Sequence, residues 1–221
     1  MGKILLVASD KGGVGKSTYS VNTASMLVNK GKSVILLKAD TNKDVLSWSK
    51  KRQENGLLPI PVYEAYGNIT KEINRLSRLC DVLIVDCPGH DSHEFRSALT
   101  VADIMVTLIK PSSDFESETL TSVTEKVRIA QNTNPNLQPW VLMTRINPSK
   151  PRHTQKAIEL DKILRSDSIW IQPLKTRISE LDVFENACNE GAGVHDVARA
   201  SSLSNAKGQL ELVGIELGII E

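Results

Sequence analysis

A glycine-rich segment constrains the fold of this 221-residue chain more than any other feature. It reads Lys-Gly-Gly-Val-Gly-Lys-Ser-Thr over residues 11–18, between a short apolar run and a helical pattern. Glycines let a backbone wrap around phosphates with its N–H groups pointing inward, and the following helix N-terminus adds partial positive charge. The segment therefore predicts a phosphate-binding loop between the first strand and the first helix. Lys16 would neutralise the β- and γ-phosphates of a nucleotide, and the Ser17 hydroxyl would ligate Mg²⁺.

Short apolar runs alternate with longer helical patterns along the chain. The sequence predicts strands at Lys3–Ala8, Ser33–Lys38, Ile60–Tyr63, Asp81–Val85, Asp103–Ile109 and Gln138–Met143. It predicts helices at about Ser17–Lys30, Asp44–Asn55, Ile69–Leu79, Phe115–Gln131, Pro151–Arg165, Ser179–Asn189 and Val194–Leu217. Because continuously apolar strands are buried on both faces, we expect one α/β domain over residues 1–221. It would be a single-domain P-loop NTPase with a mostly parallel central sheet covered by helices on both faces, and a C-terminal helical section at about 179–221.

Composition excludes several classes of protein. The 27 basic and 26 acidic residues give a net charge of +1, which excludes a highly basic, histone-like chain. The three cysteines form no Cys-x-x-Cys pair, so we expect neither a disulfide framework nor a Cys-rich zinc site, and the cytoplasm is the natural compartment. No apolar run approaches the roughly 18 residues of a membrane span, and no signal peptide is expected.

A second candidate site residue follows the strand predicted at Asp81–Val85. This apolar run leads into Asp86, and an acid at the carboxyl end of a parallel strand faces the phosphate crevice. We therefore expect Asp86 to hold Mg²⁺ together with Ser17, directly or through a water molecule. Cys87, the next residue, has no partner cysteine at a suitable spacing and is expected to be a small packed residue.

The phosphate-binding segment also departs from the ordinary motif. Asp10 stands where the first glycine of Gly-x-x-x-x-Gly-Lys-[Ser/Thr] belongs, and Lys11 supplies a second lysine. This pattern is the deviant Walker A motif, and it resembles the ParA/MinD/Soj family of P-loop ATPases, most closely the small plasmid-partition ParA/ParF type. The resemblance implies a slow, partner-stimulated ATPase that uses ATP and Mg²⁺. It also implies that Lys11 crosses a dimer interface and contacts the phosphates of the partner's nucleotide.

The same resemblance implies roles for further residues. Catalysis would rest on Lys11, Lys16 and Asp40. Nucleotide binding would rest on Lys11, Gly12, Gly13, Val14, Gly15, Lys16, Ser17, Thr18 and Arg145. The family commonly has Asp-x-Asp after the second strand, and Asp40 matches its second acid. Lys38 replaces the first acid, and its charge would either hold the γ-phosphate or point away from the site. Pro88 and Gly89 resemble switch II, where a glycine changes its backbone angles as the γ-phosphate comes and goes.

Charge is distributed unevenly along the second half of the chain. Residues 145–177 include eight basic and three acidic residues, whereas residues 178–221 include two basic and eight acidic ones. Small members of the family bind DNA without sequence preference through C-terminal basic residues. The resemblance therefore implies DNA phosphate contacts from Lys150, Arg152, Lys156 and Arg165. A solvated helical face is the open alternative.

The tail at 210–221 is apolar and acidic and contains neither Lys nor Arg. Anionic lipid would repel its glutamates, so we expect it to pack on its own domain or on a partner rather than on a membrane.

The resemblance favours one function over two alternatives. The first hypothesis is a ParA-like ATPase that forms an ATP-dependent homodimer, binds non-specific DNA and segregates or positions plasmid or chromosomal DNA cargo with a ParB-like centromere-binding or adaptor partner. Its place would be the bacterial or archaeal cytoplasm, associated with the nucleoid. The second is a small-molecule P-loop enzyme of the dethiobiotin-synthetase kind. The third is a low-turnover nucleotide-dependent adaptor or a MinD-like positioning protein.

Overall fold

A computed structural model describes residues 1–88, 91–111 and 115–221, and gives the backbone alone for residues 115–118. In these ranges the strands are β1 (Lys3–Ala8), β2 (Val34–Lys38), β3 (Val62–Glu64), β4 (Val82–Asp86), β5 (Ile104–Ile109) and β6 (Gln138–Met143). The α-helices are α1 (Lys16–Asn29), α2 (Asp44–Glu54), α3 (Thr70–Leu76), α4 (His93–Leu99), α5 (Phe115–Gln131), α6 (Pro151–Ser166), α7 (Asp182–Asn189) and α8 (Leu203–Glu216).

The six strands form one sheet in the order β3-β2-β4-β1-β5-β6, and every pairing in it is parallel. The registers pair Asp86 with Val7 of β1 on one side and with Lys38 of β2 on the other. The carboxyl ends of the three central strands therefore meet at one edge, which is where ligands bind in open α/β sheets. The predicted parallel sheet is confirmed.

Helices cover both faces of the sheet because successive side chains of each strand point to opposite sides. On β1, Leu5 and Val7 pack into a core shared with α1, α2, α7 and α8. Ile4 and Leu6 pack into the opposite core, which α3, α4, α5 and α6 complete. The prediction of a central sheet covered on both faces is thus confirmed as well.

Helix α4 (His93–Leu99) is the main element that the sequence did not predict. Ser92 begins it as an N-cap, and its hydroxyl accepts a hydrogen bond from the Phe95 N–H (3.1 Å). Seven residues show too few turns for helical periodicity to be recognised in a sequence. Strand β3 also lies later than predicted, at Val62–Glu64 instead of Ile60–Tyr63.

The predicted helices at the C-terminus are interrupted. Helix α7 begins at Asp182 rather than Ser179, and the pattern read as one helix over Val194–Leu217 divides into a 3₁₀ turn at Val194–Asp196 and helix α8. Ser202, with φ of 58°, begins α8 from the left-handed region.

The C-terminal tail packs on its own domain, as expected. Leu210, Val213, Leu217, Ile219 and Ile220 are all buried in the core beneath α1. Among the described residues, no helix has the length and the apolar character that crossing a membrane requires.

Candidate functional site

The glycine-rich segment forms an open loop between β1 and α1. Gly13 and Gly15 have φ of 75° and 94°, a left-handed region that glycine enters without steric cost. A Cβ built on Gly12 or Gly13 would meet no atom within 4 Å, so the rim of the loop is open. No side chain caps the start of α1 at Gly15. The first N–H groups of the helix therefore remain available to an anion at this point.

Lys16 begins α1 and is folded back over the loop. Its side chain is buried, and Nζ donates to the carbonyl oxygen of Lys11 at 3.3 Å. Burial lowers the pKa of Lys16, although the nearby carboxylates of Asp86 and Asp40 partly offset this effect. A buried ammonium group with acidic neighbours can neutralise a bound phosphate at the mouth of the loop.

Asp86 lies beneath the loop and is almost completely buried. Its carboxylate accepts hydrogen bonds from Ser17 Oγ (2.8 Å) and Ser20 Oγ (3.1 Å). Burial raises the pKa of Asp86 to about 6, against the opposing effect of the two serine hydroxyls and the Lys16 charge. The structure brings the predicted metal ligands Ser17 and Asp86 together, although they are 69 positions apart in the chain.

This pair of oxygen ligands suits Mg²⁺, which takes one or two protein ligands together with phosphate oxygens and water. Over residues 1–88, 91–111 and 115–221, there is no group of three His, Cys, Asp or Glu side chains that could hold a metal ion. A metal at Ser17 and Asp86 would therefore depend on the phosphates for the rest of its coordination.

Asp40 lies just after β2, within electrostatic reach of Lys16 and Asp86. Its carboxylate accepts a hydrogen bond from the Asn42 N–H (3.1 Å), which fixes the turn that follows. The structure thus places Asp40 with Lys16 and Asp86 at the same edge of the sheet.

Lys38 is directed away from the phosphate loop. Its Nζ donates to the main-chain oxygen of Asp40, to Glu64 Oε1 (3.1 Å) and to the Tyr66 hydroxyl (3.2 Å). Burial alone would lower the pKa of Lys38, but the hydrogen bonds to Tyr66 and Glu64 outweigh it and raise the pKa. The sequence left open whether Lys38 holds the γ-phosphate or points away from the site, and in the structure it points away. Its ammonium group stabilises the turn at Asp40 by donating to the main-chain oxygen there.

A cavity of about 230 Å³ opens beside the loop. Thr144 closes one wall, and its hydroxyl donates to the carbonyl oxygen of Val14 at 2.9 Å. Arg145, with a left-handed φ of 54°, places Nε 3.7 Å from the position of a Cβ on Gly15. Its guanidinium also contacts Glu185 at 2.5 Å. The cavity lies beside the loop, at the position that the base and sugar of a loop-bound nucleotide would take.

Sequence reasoning missed several residues that line this cavity. Tyr19 lies one helical turn after Lys16, so the helical period gave a signal that could have identified it. Phe184 and Glu185 come from α7, about 40 positions after Arg145. No local sequence pattern predicts that α7 packs beside Arg145.

Of the two predicted switch II residues, Pro88 is buried at the end of β4 and Gly89 lies outside the described residues. Cys87 is fully buried, and burial raises the pKa of its thiol well above the ordinary value. An inert, packed thiol agrees with the expectation for this residue.

The four residues proposed for DNA contact divide into two groups. Lys150 and Arg152 are exposed at the start of α6, and Lys156 follows Arg152 by one turn. Arg165 is at the other end of the helix, about 20 Å from Arg152 along its axis. Its guanidinium donates hydrogen bonds to the Asp161 carboxylate (2.8 Å) and to the carbonyl oxygen of Pro173 (3.1 Å).

Two curated proteins resemble this chain over most of their length. The chain is 26% identical to the protein ParA of Rhizobium radiobacter over 187 residues, which cover 82% of each chain. It is also 26% identical over 209 residues to the maintenance of carboxysome distribution protein A of Halothiobacillus neapolitanus, with 93% of each chain covered.

Solved structures share the fold. A variant of Cyanothece McdA in complex with ATP superimposes with a TM-score of 0.73 at 15% identity, covering 100% of this chain and 98% of that one. The septum site-determining protein MinD of Pyrococcus horikoshii OT3, in complex with Mg-ADP, gives a TM-score of 0.65 at 18% identity, with 98% and 99% covered.

The family model described as the CobQ/CobB/MinD/ParA nucleotide binding domain matches residues 5–184. That range contains the phosphate-binding loop, Asp40, Asp86 and Arg145. The predictions of a P-loop ATPase of the ParA/MinD type, with ATP and Mg²⁺ as cofactors, are confirmed at the level of the family. The chain belongs to the CobQ/CobB/MinD/ParA family of nucleotide-binding domains.

Proposed function

We propose that this chain is a positioning ATPase that forms a homodimer in its ATP-bound state, binds DNA without sequence preference and moves or places a cargo. A ParB-like or adaptor partner would stimulate hydrolysis and so release the dimer from DNA. The cycle would be a switch in which γ-phosphate contacts hold one arrangement of the loops around the site.

The observation that carries this proposal is the different placement of the two lysines of the loop. Lys16 is buried and donates to the loop's own backbone, where it can serve the nucleotide of its own chain. Lys11 is exposed at the rim of the loop. An exposed lysine at this rim is suited to reach the nucleotide of a second subunit that faces it, which is the role proposed for Lys11.

The residues around Asp86 supply what phosphoryl transfer to water needs. Lys16 and the N–H groups of the loop would neutralise the phosphates, and Ser17 with Asp86 would hold Mg²⁺, which shields the charge that develops on the phosphate oxygens. Asp40 would orient the attacking water or the metal's water shell. Catalysis of this kind rests on position and charge and requires no nucleophilic side chain.

The names of the relatives refer to different cargoes, so they do not by themselves identify the surface or partner that this chain would bind. One relative is named ParA, another for carboxysome distribution, and a solved structure from Borrelia burgdorferi is described as a plasmid partition protein. We propose DNA as the surface to which the dimer binds because Lys150, Arg152 and Lys156 form a basic cluster at the start of α6. The buried, acidic tail favours DNA over a MinD-like attachment to lipid.

The test is sedimentation velocity on wild type and on Lys11→Ala, each with Mg-ADP and with a non-hydrolysable ATP analogue. We expect wild type to be monomeric with ADP and dimeric with the analogue. Lys11→Ala should stay monomeric in both states while its dissociation constant for ADP changes less than about twofold. Lys32→Ala removes an exposed lysine from the turn after α1 and should behave as wild type.

A Lys11→Ala protein that dimerises as readily as wild type would refute the role across the interface. ATP turnover that starts only when a small organic substrate is added would favour the dethiobiotin-synthetase-like alternative. Dimerisation without partner-stimulated hydrolysis would favour the adaptor.

A further inference from the structure

Asp10 connects the start of the phosphate-binding loop to helix α5. Its carboxylate accepts hydrogen bonds from Ser122 Oγ (2.8 Å) and Lys126 Nζ (3.0 Å). Ser122 and Lys126 lie one turn apart on α5, and Lys126 also donates to the Ser122 hydroxyl. The connection exists because Asp10 replaces the glycine of the ordinary motif, which has no side chain to offer.

Lys126 also faces the segment that follows β4. Its Nζ lies 3.7 Å from Oδ2 of Asp91, and Arg96 on α4 holds the same carboxylate at 2.9 and 2.5 Å. The hydrogen bonds from Arg96 are the main cause of the lowered pKa of Asp91. Lys126 therefore stands between two carboxylates, one on each of two separate segments of the site.

This ion pair differs from an ordinary surface pair in its burial and in its place. The side chains of Lys126 and Asp10 are only 15% and 14% exposed, so water screens their attraction weakly. Asp10 immediately precedes Lys11, and Asp91 follows Pro88 by three positions. Both carboxylates thus belong to the segments that the γ-phosphate would contact.

We propose that Lys126 is a positioning residue for ATP hydrolysis. It ties the start of the phosphate-binding loop and the segment after β4 to the same point on α5. The backbone at Lys11 and the end of β4 at Asp86–Pro88 are thereby held in register with each other. Lys126 contacts neither nucleotide nor metal in this role; it acts through Asp10 and Asp91.

The test is single-turnover ATP hydrolysis with Mg²⁺ and without DNA or partner, so that its result does not depend on the proposed DNA-positioning function. Lys126→Met keeps the length of the side chain and removes its charge. We expect the rate constant to fall at least tenfold, while KM for ATP and the dissociation constant for ADP change less than about twofold. Lys126→Arg restores a cation and should recover the rate to within about threefold of wild type.

A matched control lies on the same helix. Arg128 donates to the carbonyl oxygens of Ser168, Ile169 and Trp170, which hold α5 to the segment after α6. Arg128→Met should lower the melting temperature and leave the hydrolysis rate unchanged. A Lys126→Met protein that behaves like Arg128→Met would overturn the proposal, since the pair would then be structural only. Loss of ADP binding in parallel with the rate would overturn it too.

A second variant keeps the proposal testable if Lys126→Met does not fold. Asp91→Asn removes the charge that faces Lys126, and Asp10 keeps its hydrogen bonds from Ser122 and Lys126. Arg96 keeps one acceptor at position 91 in place of two. We expect a three- to tenfold lower rate with unchanged ADP affinity. An unchanged rate in a folded Asp91→Asn protein would contradict the claim that Lys126 links the two segments.

Discussion

Asp86 is subject to two opposing requirements. The proposed magnesium site would require an ionised Asp86 carboxylate, yet burial raises the pKa of this group to about 6. The hydroxyls of Ser17 and Ser20 and the Lys16 charge recover only part of the lost solvation. Such a group costs free energy in the nucleotide-free protein and is useful only once a cation binds, as expected of a functional site.

The pH dependence of stability follows from the direction of this shift. A carboxyl group whose pKa is higher in the folded state than in the unfolded state destabilises the fold progressively as pH rises from about 4 through about 6. Asp86→Asn removes that cost, so the nucleotide-free variant should be more stable than wild type at pH 8 by about 1–3 kcal/mol. The advantage should vanish near pH 4, and Mg²⁺-dependent ATP hydrolysis should be lost. Urea unfolding at both pH values measures this; a variant less stable than wild type at pH 8 would contradict it.

Lys38 marks the limit of sequence reasoning at the scale of the residue. The glycines, Lys16 and Ser17 were predictable because a phosphate-binding loop needs these residue types at a fixed spacing within one short segment. The direction of Lys38 was not, because it depends on Glu64, which ends β3, and on Tyr66 just after it. The predicted strand, Ile60–Tyr63, stops before both residues. A long-range partner of this kind leaves no local pattern.

At the scale of the element, one buried ion pair joins the helices on the α1 side. Arg52 of α2 contacts Asp196 in the 3₁₀ turn at 2.7 Å, and the two side chains are only 2% and 4% exposed. Asp196 also accepts hydrogen bonds from Ser25 and Asn29 of α1 and from the Gly193 N–H. Satisfying this carboxylate fixes the turn and interrupts the helix that the sequence predicts there.

Removing one member of this pair should be costly. Arg52→Met leaves a buried carboxylate without its cation, and we expect about 3–5 kcal/mol of lost stability in urea unfolding. Lys50→Met, on the same helix, breaks an exposed pair with Glu54 and should cost less than about 1 kcal/mol. Equal effects from the two variants would refute this account of the 3₁₀ turn.

Acid should weaken the same pair in a defined range. Burial alone would raise the pKa of Asp196, but Arg52 and the other donors outweigh it and lower the pKa to about 2. The stabilisation is therefore complete above about pH 4 and is lost as pH falls towards 2. The difference in free energy of unfolding between wild type and Arg52→Met should therefore decrease as the pH falls from about 4 to about 2.

At the scale of the whole molecule, the alternation of apolar runs and helical patterns was enough to predict a parallel sheet with two covered faces. The pattern could not predict the short α4, nor the approach of α7 to Arg145, because neither depends on periodicity. The sequence therefore indicated the residues of the glycine-rich loop and the acids beside it, but only some of the residues that line the neighbouring cavity. Charge counts along the chain do not show which surface would meet DNA in the proposed function, because that depends on which side chains of α6 are exposed.

The basic cluster at the start of α6 makes a quantitative prediction about salt. Each phosphate contact contributes about 0.9 to the slope of log K against log salt concentration on duplex DNA. The double variant Lys150→Ala/Arg152→Ala should therefore have a slope that is smaller in magnitude by about 2 in the ATP state. Lys71→Ala, an exposed change on α3, a separate helix on the same face of the sheet, should leave it unchanged. Fluorescence anisotropy at several salt concentrations provides the slopes, and identical slopes for all three proteins would exclude the α6 surface.

A gel shift on arbitrary duplex DNA at low salt, with no nucleotide, with ADP, and with ATP and Mg²⁺, tests whether this chain binds DNA in its ATP state. A DNA-positioning ATPase should shift the DNA only in the ATP state, and added salt should abolish the shift. No shift in any state, from protein that still binds ATP, would contradict the account, as would an equal shift in all three.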